Sequence, residues 1–175
     1  MLKKNLSFNS FSPKALGSVL LALVILTSAG CGFQLQRSYQ IPPQLTTLHL
    51  SSQDEYSELT RLVRERLRLS NVNLVDSASK DVADLRLIRD SLERATLSLY
   101  PTGNVAEYEL IYQVEFAVAL PDSDPGFYNV EIRRDYLDDP RTALAKSREM
   151  DLLTKEMRIQ AADRIVQTLS SIEVK

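Results

Sequence analysis

The fifteen positions from 106 to 120 alternate between apolar and polar side chains, and they constrain the fold more than any other segment. Side chains that repeat every second residue predict a β-strand with one buried face and one polar face. One parity carries Ala106, Tyr108, Leu110, Tyr112, Val114, Phe116, Val118 and Leu120, and the other includes Glu107, Glu109, Gln113 and Glu115. A strand of this kind needs a second layer over its apolar face, while its other face meets water or a polar partner.

Two helical patterns can supply that second layer. The first has Leu59, Leu62, Val63 and Leu67 on one face, with Asn71 as a predicted stop and Ser52 and Glu55 at capping-box spacing. Short extended segments flank it, Thr46 to Ser51 and Val72 to Val75, which predicts a βαβ unit. The second pattern runs from Met150 to Ile172 at spacings of three and four, and Asp138, Asp139 and Pro140 suggest how it begins.

The remaining segments predict further strands. Leu85 and Leu87 lie on the parity opposite to Leu92, which predicts a β-bulge near Asp90–Arg94. Residues 102–104 have turn composition, and Val130 to Tyr136 form another extended segment. We therefore predict an α+β two-layer sandwich, with two helices packed on one face of a mostly antiparallel, mixed four-stranded sheet.

The first thirty residues have a different character, with three lysines, no acid and an apolar run over residues 15–26. This pattern is typical of a secretory signal peptide and is too short for a membrane span. Small residues lead directly into Cys31, the only cysteine, as in bacterial lipoproteins, where that thiol is acylated after cleavage. Gly32 follows where inner-membrane retention usually requires Asp. We predict a removed signal peptide (1–30), a lipidated N-terminus and spacer (31–43), one domain (44–175), and an outer-membrane location through Cys31.

Charge and motif content argue against several classes of function. Removing residues 1–30 lowers the basic count from 21 to 18 against 23 acids, so the mature net charge is −5. A nucleic-acid binder would carry a concentrated basic excess. The single histidine, His49, has no cysteine or acidic cluster at metal-ligand spacing, and no nucleophile or phosphate-loop motif is present. We predict no catalysis, no cofactor, no bound metal and no nucleic-acid partner.

Several short blocks, in order along the mature chain, resemble the LptE family of lipopolysaccharide (LPS)-assembly lipoproteins. They are Cys31 to Leu35, Lys80 to Leu87, Gly103 to Tyr108, Asp139-Pro140, Ala143 to Lys146 and Lys155 to Ala162. The resemblance implies a small α+β domain that sits as a plug inside the outer-membrane β-barrel LptD. It also implies LPS binding through basic residues near one end of the sheet.

The resemblance singles out Lys146, which matches the family's lysine in the Ala-Leu-Ala-Lys block. A second basic residue is common in the family at the turn where this chain has Pro101, so Arg94 is the substitute on the same hairpin. The polar strand faces supply Glu109, Gln113 and Arg133 as the predicted barrel interface. Three alternatives stay open: a merely solvated Lys146, a lipoprotein accessory or scaffold of another barrel-assembly system, and a soluble acyl-chain carrier.

Overall fold

The computed structural model describes residues 40–139 and 142–172. The predicted signal peptide, Cys31 and most of the spacer lie outside these residues, so cleavage and lipidation stay predictions. The elements are a 3-10 turn at Pro43–Leu45, strands β1 (Thr47–Ser52), β2 (Asn73–Val75), β3 (Ala83–Leu99), β4 (Val105–Ala119) and β5 (Gly126–Leu137), and helices α1 (Glu58–Leu69) and α2 (Ala143–Ser170).

The strands form one mixed sheet in the order β2-β1-β3-β4-β5. β1 pairs in parallel with both β2 and β3, and the long β3, β4 and β5 are antiparallel. The predicted α+β class and mixed sheet are confirmed. The predicted count of four strands is wrong by one, because the three-residue β2 pairs with β1 at the edge of the sheet.

Strand β3 is irregular close to the position that the sequence predicted. Its register with β4 shifts between Leu87 and Arg89 and again between Thr96 and Leu99, whereas Leu92 pairs regularly with Tyr112. A bulge is therefore present next to the predicted position near Asp90–Arg94, just before Asp90. The extra residue is Ile88, and it reverses the parity early enough for Leu87 and Leu92 to pair with residues of the same buried face of β4.

The ends of both helices differ in part from the predicted capping residues. Ser57 is the N-cap of α1, and its Oγ accepts a hydrogen bond from the Thr60 amide at 3.1 Å. The predicted capping pair, Ser52 with Glu55, is wrong because Ser52 ends β1. Asn71 has φ of 60°, the left-handed conformation that follows many helix ends, as predicted. Thr142, rather than Asp138 or Asp139, is the N-cap of α2; Pro140 lies outside the described residues.

Both helices contribute to a single core on one face of the sheet. Its members are buried side chains from α1, α2 and the apolar parity of the strands, among them Val63, Leu67, Met157, Ile165, Leu169, Leu85, Leu110, Tyr112, Val114, Phe116 and Ile132. The other face carries the polar parity. Among the described residues, no helix is both long enough and apolar enough to cross a membrane.

Candidate functional site

The domain has two ends, and the candidate cations lie at one of them. β3 begins beside β1, with Ala83 opposite Leu48. Arg94 is eleven residues further along, about 36 Å away at the rise of an extended strand. α2 begins near this far end. Lys146, in its first turn, and Arg94 line one open groove of about 280 Å³. We call it the distal groove; its lining is Arg94, Tyr136, Asp138, Asp139, Lys146, Ser147, Met150 and Asp151.

Two tyrosines hold the two cations. Tyr108 of β4 and Tyr136 of β5 are directly opposite each other in the sheet. The Lys146 Nζ lies 5.0 Å from the centroid of the Tyr136 ring, and the Arg94 Cζ lies 5.6 Å from that of Tyr108. A cation within about 6 Å of an aromatic face is attracted by the ring quadrupole. The sheet register therefore brings together two cations that are 52 residues apart in the sequence.

Lys146 is held in place by its neighbours. Only 16% of its side chain is exposed, and its Nζ lies 2.8 Å from Glu149 Oε2. The Tyr136 hydroxyl donates a hydrogen bond to the Lys146 carbonyl at 3.2 Å. The hydrogen bond with Glu149 raises the pKa of Lys146, so this lysine is a charged, oriented group. An anionic ligand must therefore compete with Glu149 for the ammonium group.

The three predicted interface residues also come together, on the polar face of the sheet. Arg133 Nη1 lies 2.8 Å from Glu109 Oε2, and Arg133 Nε lies 2.6 Å from Glu131 Oε1. Gln113 Nε2 donates to the other oxygen of Glu131 at 3.1 Å. Hydrogen bonds from Arg133 and Gln113 lower the pKa of Glu131. We call these four residues the polar ladder: Glu109, Arg133, Glu131 and Gln113.

Further pairs extend this polar face along β3 and β4. Arg89 bonds to Glu115 at 2.7 Å, and Ser98 donates to Glu107 at 2.8 Å. These groups are exposed or half-buried, and the helices pack on the opposite face. Exposed ion pairs contribute little to stability, so the polar ladder adds little to the stability of the domain.

The structure adds residues that sequence reasoning missed. The sequence pattern predicts Tyr108 and Tyr136 only as members of strands. It does not mark Glu131 or Glu149 as site residues, although Glu149 stands at i+3 from Lys146, a spacing at which helix side chains meet. His49 Nδ1 lies 2.7 Å from Asp84 Oδ1. Across residues 40–139 and 142–172, no group of three or more His, Cys, Asp or Glu side chains is arranged to hold a metal ion.

Comparison with known proteins identifies the family. A model described as lipopolysaccharide-assembly, LptE, matches residues 45–169. The LPS-assembly lipoprotein LptE of Pectobacterium atrosepticum is 42% identical over 156 residues, 89% of this chain and 85% of the relative. That of Yersinia enterocolitica is 45% identical over 152 residues, 86% of this chain and 73% of the relative.

Solved structures of two bacterial lipoproteins are similar to this chain. Rare lipoprotein B from Shewanella oneidensis is 74% identical, with a TM-score of 0.67 over 71% of this chain and 94% of that one. Lipoprotein B from Nitrosomonas europaea has a TM-score of 0.65 at 21% identity, covering 80% of this chain and 91% of that one, which shows the shared fold alone. By family model, relatives and fold together, this chain belongs to the LptE family of LPS-assembly lipoproteins.

Proposed function

We propose that this protein is a non-catalytic lipoprotein anchored in the outer membrane through Cys31. It assembles with the LptD β-barrel as a plug and binds LPS in the distal groove, helping to insert LPS into the outer leaflet. Membership of the LptE family supports the assembly role. The LPS contact and the barrel contact are supported by two separate surfaces of the domain.

The pairing of Lys146 with Arg94 carries the proposal of LPS binding. A mature protein of net charge −5 repels an anionic glycolipid overall, so binding requires cations that meet phosphate groups directly. Charge-assisted hydrogen bonds to phosphate are among the strong polar contacts in proteins. Two cations held against neighbouring tyrosine rings form a pre-organised pair of this kind, in an open groove at the end of the sheet.

The polar ladder supports the plug. The lumen of an outer-membrane barrel is lined by polar side chains, so a domain inside it needs a surface of mixed charge. Glu109, Gln113 and Arg133 present such a surface on strands that are rigid because their other face is buried. An apolar surface would be unsuited to that environment.

Charge reversal in the groove tests LPS binding. The Lys146→Asp, Arg94→Asp double variant should bind purified LPS about tenfold more weakly, because both phosphate contacts become repulsive. The loss should shrink at high salt, which screens exposed charges. Arg148→Asp, an exposed change on the same helix outside the groove lining, is the control and should bind normally. Unchanged affinity in the double variant, with the fold intact, would remove LPS binding from the proposal.

Photocrosslinking tests the plug. Crosslinkers placed at Glu109, Gln113 and Arg133 should capture LptD in cells, and depletion of this protein should leave LptD misassembled. Extraction from membranes should bring down the same barrel. Normal LptD assembly in depleted cells, with no crosslink from any of the three positions, contradicts the plug. Co-purification with a different barrel complex would instead support a role as an accessory of that system.

A further inference from the structure

The polar face of the sheet carries more acid than its own arginines can neutralise. In β3, β4 and β5 this face consists of the residues in register with the odd-numbered positions of β4. Its charged members are seven acids and three arginines: Asp84, Glu93, Glu107, Glu109, Glu115, Glu131 and Asp135, with Arg86, Arg89 and Arg133. Each of the three arginines already has an acidic partner on the same face, at 3.6 Å or less. The polar face therefore keeps a surplus of negative charge.

Two of these acids stand directly opposite each other. Glu109 of β4 and Asp135 of β5 are register partners, and like charges in this position destabilise an antiparallel pair of strands. Arg133 bonds to Glu109 at 2.8 Å, whereas Asp135 is in no ion pair within the described residues. Glu107 precedes Glu109 by two positions on the same face, and its carboxylate accepts a hydrogen bond from the neutral Ser98 hydroxyl at 2.8 Å. We call Glu107, Glu109 and Asp135 the acidic row.

The acidic row has the spacing of side chains on one face of a strand. Glu107 and Glu109 are about 7 Å apart along β4, because every second residue of a strand points to the same face. Side chains that face the lumen of a barrel recur with the same period, since they alternate with side chains that face lipid. Leu137, the register partner of Glu107, is 53% exposed and becomes covered when a surface approaches the row. The row therefore matches a barrel strand that carries cations on alternate residues.

The outer side of the helical layer has the opposite charge. Arg61, Arg64 and Arg68 of α1 line a shallow groove together with Glu65 and Leu69. The buried side chains of α1 belong to the core against the sheet, so this groove lies on the side of the domain away from the polar face. A basic partner surface attracts the polar face and repels this side of α1. Charge complementarity of this kind steers association and fixes the orientation of the partners.

We propose that the acidic row docks on a strip of lysine or arginine side chains on the lumen wall of the barrel, and that this contact sets which way the domain faces inside it. The inference rests on the plug of the proposed function and specifies the chemistry of its partner surface. A partner cation between Glu109 and Asp135 offsets the repulsion between them and forms charge-assisted hydrogen bonds with both carboxylates.

Capture of the full acylated lipoprotein by tagged LptD from cell membranes tests the contact. The Glu107→Lys, Asp135→Lys double variant should co-purify about tenfold less than wild type, because two attractive contacts become repulsive. The Glu107→Gln, Asp135→Asn variant should lose about threefold, because it removes charge without adding repulsion. The matched control, Asp76→Lys with Asp124→Lys, changes the net charge as the lysine variant does, at exposed positions outside the polar face, and should co-purify normally.

The stability of the protein without LptD separates docking from folding. Asp135→Asn removes the like charge opposite Glu109, so its melting temperature in detergent should equal or exceed that of wild type while its capture is weaker. A melting temperature that falls together with capture would assign Asp135 a structural role and overturn the inference.

Second-site changes in the barrel identify the other half of the contact. In cells that depend on the Glu107→Lys, Asp135→Lys variant, substitutions in LptD that restore capture should remove a lysine or arginine, or add an acid, at lumen-facing positions. Restoring substitutions confined to apolar positions contradict a basic strip.

Two further results overturn the inference: unchanged capture of both double variants, and an equal loss of capture in the Asp76→Lys, Asp124→Lys control. Failure of wild type to co-purify with LptD contradicts the plug itself. That result differs from normal capture of wild type and variants alike, which contradicts only the basic strip.

Discussion

Removing the hydroxyl of Tyr112 should destabilise the domain measurably. Tyr112 is 1% exposed, and its hydroxyl donates a hydrogen bond to Asp90 Oδ2 at 2.6 Å. Hydrogen bonds to charged groups contribute about 1.5–3 kcal/mol. Because Asp90 is exposed, water can replace the lost donor, so we expect Tyr112→Phe to lower the free energy of unfolding by about 1.5 kcal/mol, the low end of that range.

Equilibrium urea unfolding of the non-acylated Cys31→Ser protein, followed by circular dichroism, measures this change. Tyr108→Phe is the matched control, because within the described residues the Tyr108 hydroxyl makes no hydrogen bond, and it should cost less than about 0.5 kcal/mol. The melting temperature of Tyr112→Phe should fall by about 4–6 °C, given the size of the domain. Equal stability of the two variants would refute the role assigned to the Asp90 hydrogen bond.

The pH dependence provides an independent check on the same side chain. Burial, reinforced by Asp90, raises the pKa of Tyr112 above its ordinary value of 10.0. In the unfolded chain this tyrosine ionises near that value, whereas in the folded protein it keeps its proton. The contribution to stability is therefore complete below pH 10 and is lost as the pH rises further, by up to about 1.4 kcal/mol per pH unit. The stability difference between wild type and Tyr112→Phe should shrink accordingly; a constant difference would contradict the assignment.

Three further changes test other parts of the molecule. Mass spectrometry should find the mature protein beginning at an acylated Cys31, and Cys31→Ala behind a conventional cleavage site should release a folded, soluble domain; an intact Met1 or a free thiol would contradict lipidation. Glu149→Gln should increase LPS affinity about threefold in a binding titration, because it frees the Lys146 ammonium; reduced affinity would show that Glu149 positions Lys146 productively. Gly103→Ala should cost about 1 kcal/mol in thermal unfolding, since Gly103 has φ of 85°; an unchanged melting temperature would show that the β3–β4 turn relaxes without strain.

The repeating elements could be predicted from the sequence because their signals are local. The alternation over residues 106–120 anticipates β4, Val105–Ala119, to within one residue at either end. Asn71 was correctly predicted as the helix stop, because few residues other than Gly and Asn adopt the left-handed conformation easily. Each of these features is decided by neighbours within a few residues along the chain.

Features that depend on strand pairing could not be predicted in this way. The change of parity between Leu87 and Leu92 indicates a bulge in β3. Only the pairing of β3 with β4 decides that the extra residue is Ile88. Sequence spacing likewise predicted Ser52 as the capping residue of α1, whereas Ser52 belongs to the paired strand β1 and Ser57 is the N-cap.

For the candidate sites, too, local signals identify single residues, whereas strand pairing decides which residues meet. Lys146, Arg94, Glu109, Gln113 and Arg133 could be nominated from the sequence, because residue type, periodicity and family blocks mark them individually. Only the tertiary structure places Lys146 and Arg94 against tyrosine rings that are opposite each other in β4 and β5. It also bonds Arg133 directly to Glu109 and links Arg133 to Gln113 through Glu131. The periodicity of a helix or strand is set by backbone geometry within a short segment. Which distant side chains meet depends instead on which strands pair and in what register, and the burial of the whole apolar face of the sheet decides that register.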